Sequence, residues 1–159
     1  MQIHGLFPKA VGATALAVAV LLSSSSPAAS TPPAAITVVA EATFAPALSF
    51  VWSSSGAFDD AGTFEFVQSH WGAIPSPRVG TLQQIMVFTS AAGTFTLRAS
   101  MQLTLTEVPG FLALDGPWSV LGGTGAYEGL HGAGKVHIDL VPNPELPDVA
   151  TLTGRVHLD

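Results

Sequence analysis

Four histidines, one tyrosine and a handful of carboxylates carry whatever proton-transfer or metal chemistry the chain has beyond residue 30: His70, His131, His137, His157, Tyr127, Glu65 and Asp115 stand out. A structural zinc site takes four ligands and a catalytic one three. His137 and His157 supply two, on the polar face of a C-terminal hairpin, and Lys135 and Arg155 beside them oppose a divalent ion. They read as solvated surface histidines, and no metal is expected. His70 is different. Residues 63–71 alternate, so Phe64, Phe66, Gln68 and His70 share one side of a strand, with Gln68 and His70 at one end of an apolar interior. A histidine there either orients a ligand or moves a proton, or has its ring nitrogens satisfied by backbone and water at a rim. Tyr127 stands among glycines, where its hydroxyl can donate inward or its ring can pack over a kinked strand. Phe64, Phe66, Gln68, His70 and Tyr127 are therefore the candidate ligand-binding residues.

Other chemistry is incomplete. Gly129, Gly134 and Lys135 have phosphate-loop spacing, but Val136 takes the position of the Mg²⁺-binding hydroxyl and an alternating strand follows where a helix is needed. Glu65 lies on the polar face opposite Phe64. The chain lacks cysteine and any Gly-x-Ser-x-Gly nucleophile turn. No catalytic residue set and no cofactor is expected.

The elements that must position these residues are strands. Residues 36–44 are rich in β-branched types, 48–53 follow a break at Pro46, and 63–71 and 81–89 come next. Residues 94–107 alternate most cleanly, with Leu97, Ala99, Met101, Leu103 and Leu105 against Arg98, Ser100, Gln102, Thr104 and Thr106. Period two of this length marks a half-buried antiparallel strand. Short strands at 111–114 and 118–121 flank Asp115-Gly116-Pro117, which has turn chemistry. Val136, Ile138 and Leu140 alternate with Lys135, His137 and Asp139, and a last strand sets Leu152, Val156 and Leu158 against Thr153, Arg155 and His157. Pro75 and Pro77 interrupt one connection, and Pro142, Pro144 and Pro147 another. The fold class is all-β: about eight strands, a closed antiparallel barrel with no open edge, a two-sheet sandwich being the alternative with a similar pattern.

Six of the sixteen glycines fall in the thirteen positions 122–134. They predict tight turns and kinks by which one strand bends and returns. The segment, with Gly122, Gly123, Thr124, Gly125, Gly129, Gly132 and Gly134, resembles the Gly-Gly-Thr-Gly-aromatic signature of plant dirigent proteins and is similar to small secreted bacterial proteins with an allene-oxide-cyclase-like barrel. The resemblance covers 118–140 closely and Gly93-Thr94-Phe95 more loosely. It implies an eight-stranded barrel with a largely apolar lumen, often trimeric, so a homotrimer is an expected partner state. His131 stands where the dirigent pattern has arginine.

Residues 1–9 hold Lys9 and no acid, residues 10–22 are apolar apart from Gly12 and Thr14, and serines and alanines follow. That order is a secretory signal peptide over 1–30, cleaved after Ala28 or Ser30. A run of thirteen residues falls short of the ~20 that span a bilayer, so no stable membrane anchor is expected and the mature protein is extracellular or periplasmic. Residues 31–159 form the single domain, with 31–35 a flexible leader. Five Lys and Arg stand against eleven Asp and Glu. Removing the leader takes away Lys9 and no acid, which excludes the clustered cations that a phosphate backbone requires; no nucleic-acid partner is expected. The composition and pattern point to a non-enzymatic barrel holding a small apolar molecule. A dirigent- or cyclase-type enzyme is the second possibility, which needs His70, Tyr127 and a carboxylate in one cavity. A surface structural or adhesive protein, displaying a broad apolar patch, is the third.

Overall fold

The computed structural model describes residues 31–72, 80–106 and 111–159. The expected signal peptide, the loop around Pro75 and Pro77, and the turn at Val108-Pro109-Gly110 lie outside the described residues. The elements are β1 (Ala34–Thr43), β2 (Ser49–Gly56), β3 (Asp60–Trp71), β4 (Gly80–Thr89), β5 (Gly93–Leu105), β6 (Leu112–Gly125), β7 (Leu130–Leu140) and β8 (Asp148–Leu158). Each strand pairs antiparallel with the next, and β1 pairs with β8, so the meander closes into an eight-stranded barrel. No helix occurs among the described residues. The barrel, rather than the sandwich, is the fold.

Alternation decides which residues face inward. On β5 Leu97, Ala99 and Met101 are buried while Arg98, Ser100 and Gln102 face out. On β8 Leu152 and Val156 are buried, and on β7 Val136 and Ile138. Two segments depart from the simple pattern. Asp115-Gly116-Pro117 does not turn the chain: β6 runs straight through it, paired with β7 at Gly116↔Val136 and Pro117↔Lys135. Proline has no N–H to donate, so the cost falls on the β5 side, where the pairing lapses between Ala99↔Trp118 and Gln102↔Asp115. Residues 31–35 are extended and tied down. The Thr31 N–H donates to the Leu158 carbonyl at 3.0 Å, an Arg155 guanidinium nitrogen donates to the Pro33 carbonyl at 2.8 Å, and β1 has begun by Ala34.

The glycine segment turns the chain as expected. β6 ends at Gly125 and β7 begins at Leu130. Gly125 (φ 63°) and Gly129 (φ 74°) hold the left-handed conformations of this turn, which other residues adopt at a cost. Gly122, Gly123 and Thr124 lie in the last residues of β6, just after a bulge at Leu121, and the Thr124 hydroxyl meets that of Thr94 at 2.7 Å.

Gly132 and Gly134 are inside β7, and Gly134 shows why glycine is used there. It pairs with Trp118 on β6 and with Gly154 on β8. The Trp118 indole lies across both glycines and its Nε1–H reaches the Lys135 carbonyl at 3.0 Å and the Thr153 carbonyl at 3.2 Å. A Cβ on Gly154 would collide with the Trp118 ring, the Ala133 carbonyl and the Gly134 backbone. The same device occurs on the opposite wall. Trp52 on β2 pairs with Gly62 on β3, and its Nε1–H reaches over to the Thr89 carbonyl at the end of β4 at 3.3 Å. Each indole thus crosses one strand and bonds the backbone of the strand beyond it.

Gly154→Ala is expected to lower stability by about 1–3 kcal/mol, as overpacking against atoms that cannot move aside typically does. Urea unfolding followed by tryptophan fluorescence reads this, and an unchanged midpoint contradicts it.

Candidate functional site

The two ends of the lumen differ in what fills them. At the end where Asp60, Thr89, Gly93 and Gly125 stand, the interior is packed with rings. Phe88 and Phe95, paired across β4 and β5, stack in parallel at 4.9 Å between centroids. Trp52 meets both edge-on at 5.7 and 5.2 Å. Phe58 and Tyr127 continue the column to the end of the barrel, 5.0 Å apart. Offset and edge-to-face rings are the arrangements their quadrupoles favour.

Tyr127 closes this end. Its ring is 4% exposed and its hydroxyl donates to the Asp60 carboxylate, which also accepts from the Ser90 hydroxyl at 2.6 Å and the Ala61 N–H at 2.7 Å. The donors act on both partners. Ser90 first, then Tyr127 and Ala61, hold the Asp60 carboxyl below its ordinary value. Burial, then the hydrogen bond to Asp60, pushes the Tyr127 hydroxyl up to about 12, so it stays protonated and donates. Asp60 therefore latches together the start of β3, the β4–β5 turn and the β6–β7 turn. Of the two possibilities weighed for Tyr127, the structure has the ring packed in the core with its hydroxyl engaged at the base of the barrel.

At the other end the lumen stays open. A cavity of about 290 Å³ enters between the ends of β1, β3 and β7 and the start of β8. Its walls include Ala40, Ala42 and Ala150, small residues where the closed half has phenylalanines; Leu82, Met86, Leu114, Val136 and Leu152 complete its apolar lining. Phe44, Phe66 and Trp71 stand at its rim. Phe66 is part of a ring cluster with Phe64 at 5.4 Å and Phe50 at 5.6 Å. Two polar side chains enter the lining, Gln84 and Asp148. The Gln84 Nε2 donates to the Ser69 hydroxyl at 3.4 Å, and its Oε1 is buried without a partner. The Asp148 carboxylate accepts the Val141 N–H at 2.8 Å. Burial raises Asp148 above its ordinary value, against the opposing pull of the Val141 N–H.

Phe64 and Phe66 thus face this cavity, as their alternation predicts, but Gln68 and His70 do not. The β3–β4 register steps from Phe66↔Met86 to Gln68↔Ile85, leaving Val67 as an extra residue. One added residue reverses every side chain beyond it. Gln68 and His70 turn to the outer face, while Ser69 and Trp71 turn in opposite the inward-facing Gln84 and Leu82. The single side shared by Phe64, Phe66, Gln68 and His70 is therefore corrected to Phe64, Phe66, Ser69 and Trp71. His70 and Tyr127 stand at opposite ends of the barrel, so the convergence that a cyclase-type centre requires of them is not assembled. Gln84 was overlooked on sequence, although its signal was present: a polar residue within the inward stripe Leu82, Gln84, Met86, Phe88.

The outer histidines separate into two groups. His137 is held by Asp115 at 2.6 Å and Asp139 at 3.2 Å. The Asp115 hydrogen bond raises His137 above its ordinary value, with burial opposing. His157 stacks on His131 at 5.5 Å, and both approach Asp159, at 3.5 and 3.0 Å. His137 and His157, expected on one face near Lys135 and Arg155, are on the outer surface but at different heights. Among the described residues no group of three or more His, Asp or Glu is arranged to hold a metal ion. A larger depression, about 530 Å³, lies on the exposed outer wall of the barrel against Asp115, Gly116, Pro117, Lys135 and His137. The apolar mouth is the better candidate, because enclosure by apolar walls with a few convergent polar groups characterises ligand sites.

No protein-family model matches the chain, and neither a curated protein nor a solved structure matches it.

Asp148 has a folded pKa above its unfolded value near 3.8. Its contribution to stability is complete below the unfolded pKa and is lost as pH rises through the folded one. Asp148→Asn keeps the oxygen that accepts from Val141, so it is expected to raise the urea midpoint at pH 7 and to leave it nearly unchanged at pH 3. Equal effects at the two pH values contradict this account.

Proposed function

We propose that the chain is an exported β-barrel protein that binds a small apolar molecule in the open half of its lumen. The observation that carries the proposal is the contrast between the two halves. One is filled by stacked phenylalanines, while the other meets its mouth with Ala40, Ala42 and Ala150 around a cavity of about 290 Å³. Where a barrel needs only stability, large side chains fill the lumen, since an apolar void forfeits dispersion contacts. A cavity of this size lies at the small end of the ~300–1,000 Å³ range of ligand pockets. The rim residues Phe44, Phe66 and Trp71 then serve as an apolar lip, and Trp71 becomes the reporter of occupancy. Export under residues 1–30 and assembly into homotrimers belong to the same proposal. The leader pattern supports the first, and the dirigent-like glycine segment, in a barrel of eight antiparallel strands, supports the second together with kinship to allene-oxide-cyclase-like proteins.

N-phenyl-1-naphthylamine, a neutral apolar fluorophore, is the probe that tests this. It is expected to brighten on binding the full chain and to quench Trp71. Ala150→Phe fills the mouth and is expected to weaken the probe at least tenfold while leaving the urea midpoint near that of the unaltered protein. Failure of the unaltered protein to bind the probe overturns the proposal, and so does undiminished binding by a folded Ala150→Phe variant.

A further inference from the structure

We infer that the molecule taken by the open mouth is a cationic amphiphile, an apolar body ending in an ammonium group that pairs with the Asp148 carboxylate. This rests on the apolar-ligand proposal above and adds a head group to it. Asp148 opens β8 on the same side as Ala150 and Leu152, and its cross-strand partner on β1 is Ala42, which is buried. All four line the cavity. One Asp148 oxygen accepts the Val141 N–H at 2.8 Å; the other takes no hydrogen bond from the described residues and keeps accessible surface. A group entering the mouth can therefore reach it. The fold is not what this charge serves, because burial disfavours the ionised form by more than the Val141 N–H favours it. An inward carboxylate held against stability is the kind of group that binding retains.

The surroundings of the mouth favour the same sign. The cavity lining includes Asp148 and no lysine, arginine or histidine. On the outer face Glu41 of β1 and Asp139 of β7 flank Val149, the next residue of β8, and Glu145 lies in the β7–β8 connection. His137 engages Asp139 from farther along β7. The lysine and arginines among the described residues stand away from this end: Lys135 pairs with Thr153, Arg98 with Ser119, and Arg155 with Ala35 near the start of β1. A carboxylate amphiphile would bring a second negative charge to a mouth that already holds one. An alcohol would leave the Asp148 charge unanswered, whereas an ammonium meets it with a charge-assisted hydrogen bond. Asp148 stands at the entrance and is only half-buried, so the ammonium keeps part of its hydration and escapes the desolvation cost of a fully buried pair.

The test is competition against bound N-phenyl-1-naphthylamine at pH 8, using the full chain with decylamine, 1-decanol and decanoate. Decylamine, protonated at that pH, is expected to compete about tenfold more tightly than decanol, which is about 1.4 kcal/mol, and decanoate is expected to be the weakest of the three. Asp148→Asn is expected to bring the amine-to-alcohol ratio close to one; taken within each variant, that ratio is unaffected by any change in fluorophore affinity. If the ratio is undiminished in folded Asp148→Asn, the preference comes from the net negative charge of the whole chain and the head-group inference fails. If amine and alcohol compete equally in the unaltered protein, the head-group inference fails and the apolar site stands. If the fluorophore does not bind at all, both fail. Should Asp148→Asn not fold, the comparison in the unaltered protein decides alone.

Discussion

An indole laid across a bare glycine is the contact on which the wall of this barrel depends. It is made twice, four strands apart: Trp52 over Gly62 and Trp118 over Gly134 and Gly154. At Gly62 and at Gly154 a side chain would meet both the indole and a carbonyl of the neighbouring strand, and the indole N–H bonds the backbone of the next strand but one. The two halves of the contact require each other. Glycine in a strand sacrifices packing and order, and a buried indole needs an acceptor for its N–H. Placed together, the ring covers the glycine and the carbonyl beyond it satisfies the indole. Three consecutive strands are thereby joined by one side chain, which is what a curved sheet needs to hold its curvature.

With the wall fixed in this way, the two ends of the lumen are free to differ. The closed half spends its volume on rings. Phe88 and Phe95 are almost wholly buried, and each contributes on the order of 1.5–3 kcal/mol relative to exposure. Below them the Tyr127 and Ser90 hydroxyls converge on Asp60 and tie two turns to β3. That concentration of packing at one end leaves the opposite end able to carry alanines, a cavity and an apolar lip without the barrel depending on them. Stability and the candidate site are separated along the axis, and no residue that lines the open cavity is among those that close the base.

Much of this was readable in the chain. The alternation of 97 to 102 puts the right residues inside, and the glycine segment turns where it was expected to, between Gly125 and Gly129. Phe64 and Phe66 were correctly placed on the lumen side. Beyond Phe66 the reading failed for a local reason, because Gln68 and His70 continue the even count and the bulge at Val67 does not. The trace of it was Trp71, an apolar ring on a position that strict alternation sends to solvent. Asp115-Gly116-Pro117 has the composition of a turn, but pairing with β7 on one side was enough to carry the strand through. The Asp60 latch joins residues 30 and 67 positions apart. Nothing in local sequence announces a contact of that span; it exists only once the sheet has closed.

The three tryptophans allow the account to be tested in one experiment, by following the exchange of their indole N–H protons with solvent in the ¹H–¹⁵N NMR spectrum. Trp52 and Trp118 are buried with their indoles donating across glycines, whereas Trp71 is half exposed at the mouth. Two indole signals protected to the level of the slowest backbone amides, and a third exchanging at once and assigned to Trp71, is the predicted result. Rapid exchange at Trp118 or Trp52 in the folded protein contradicts the idea that these rings hold the barrel closed.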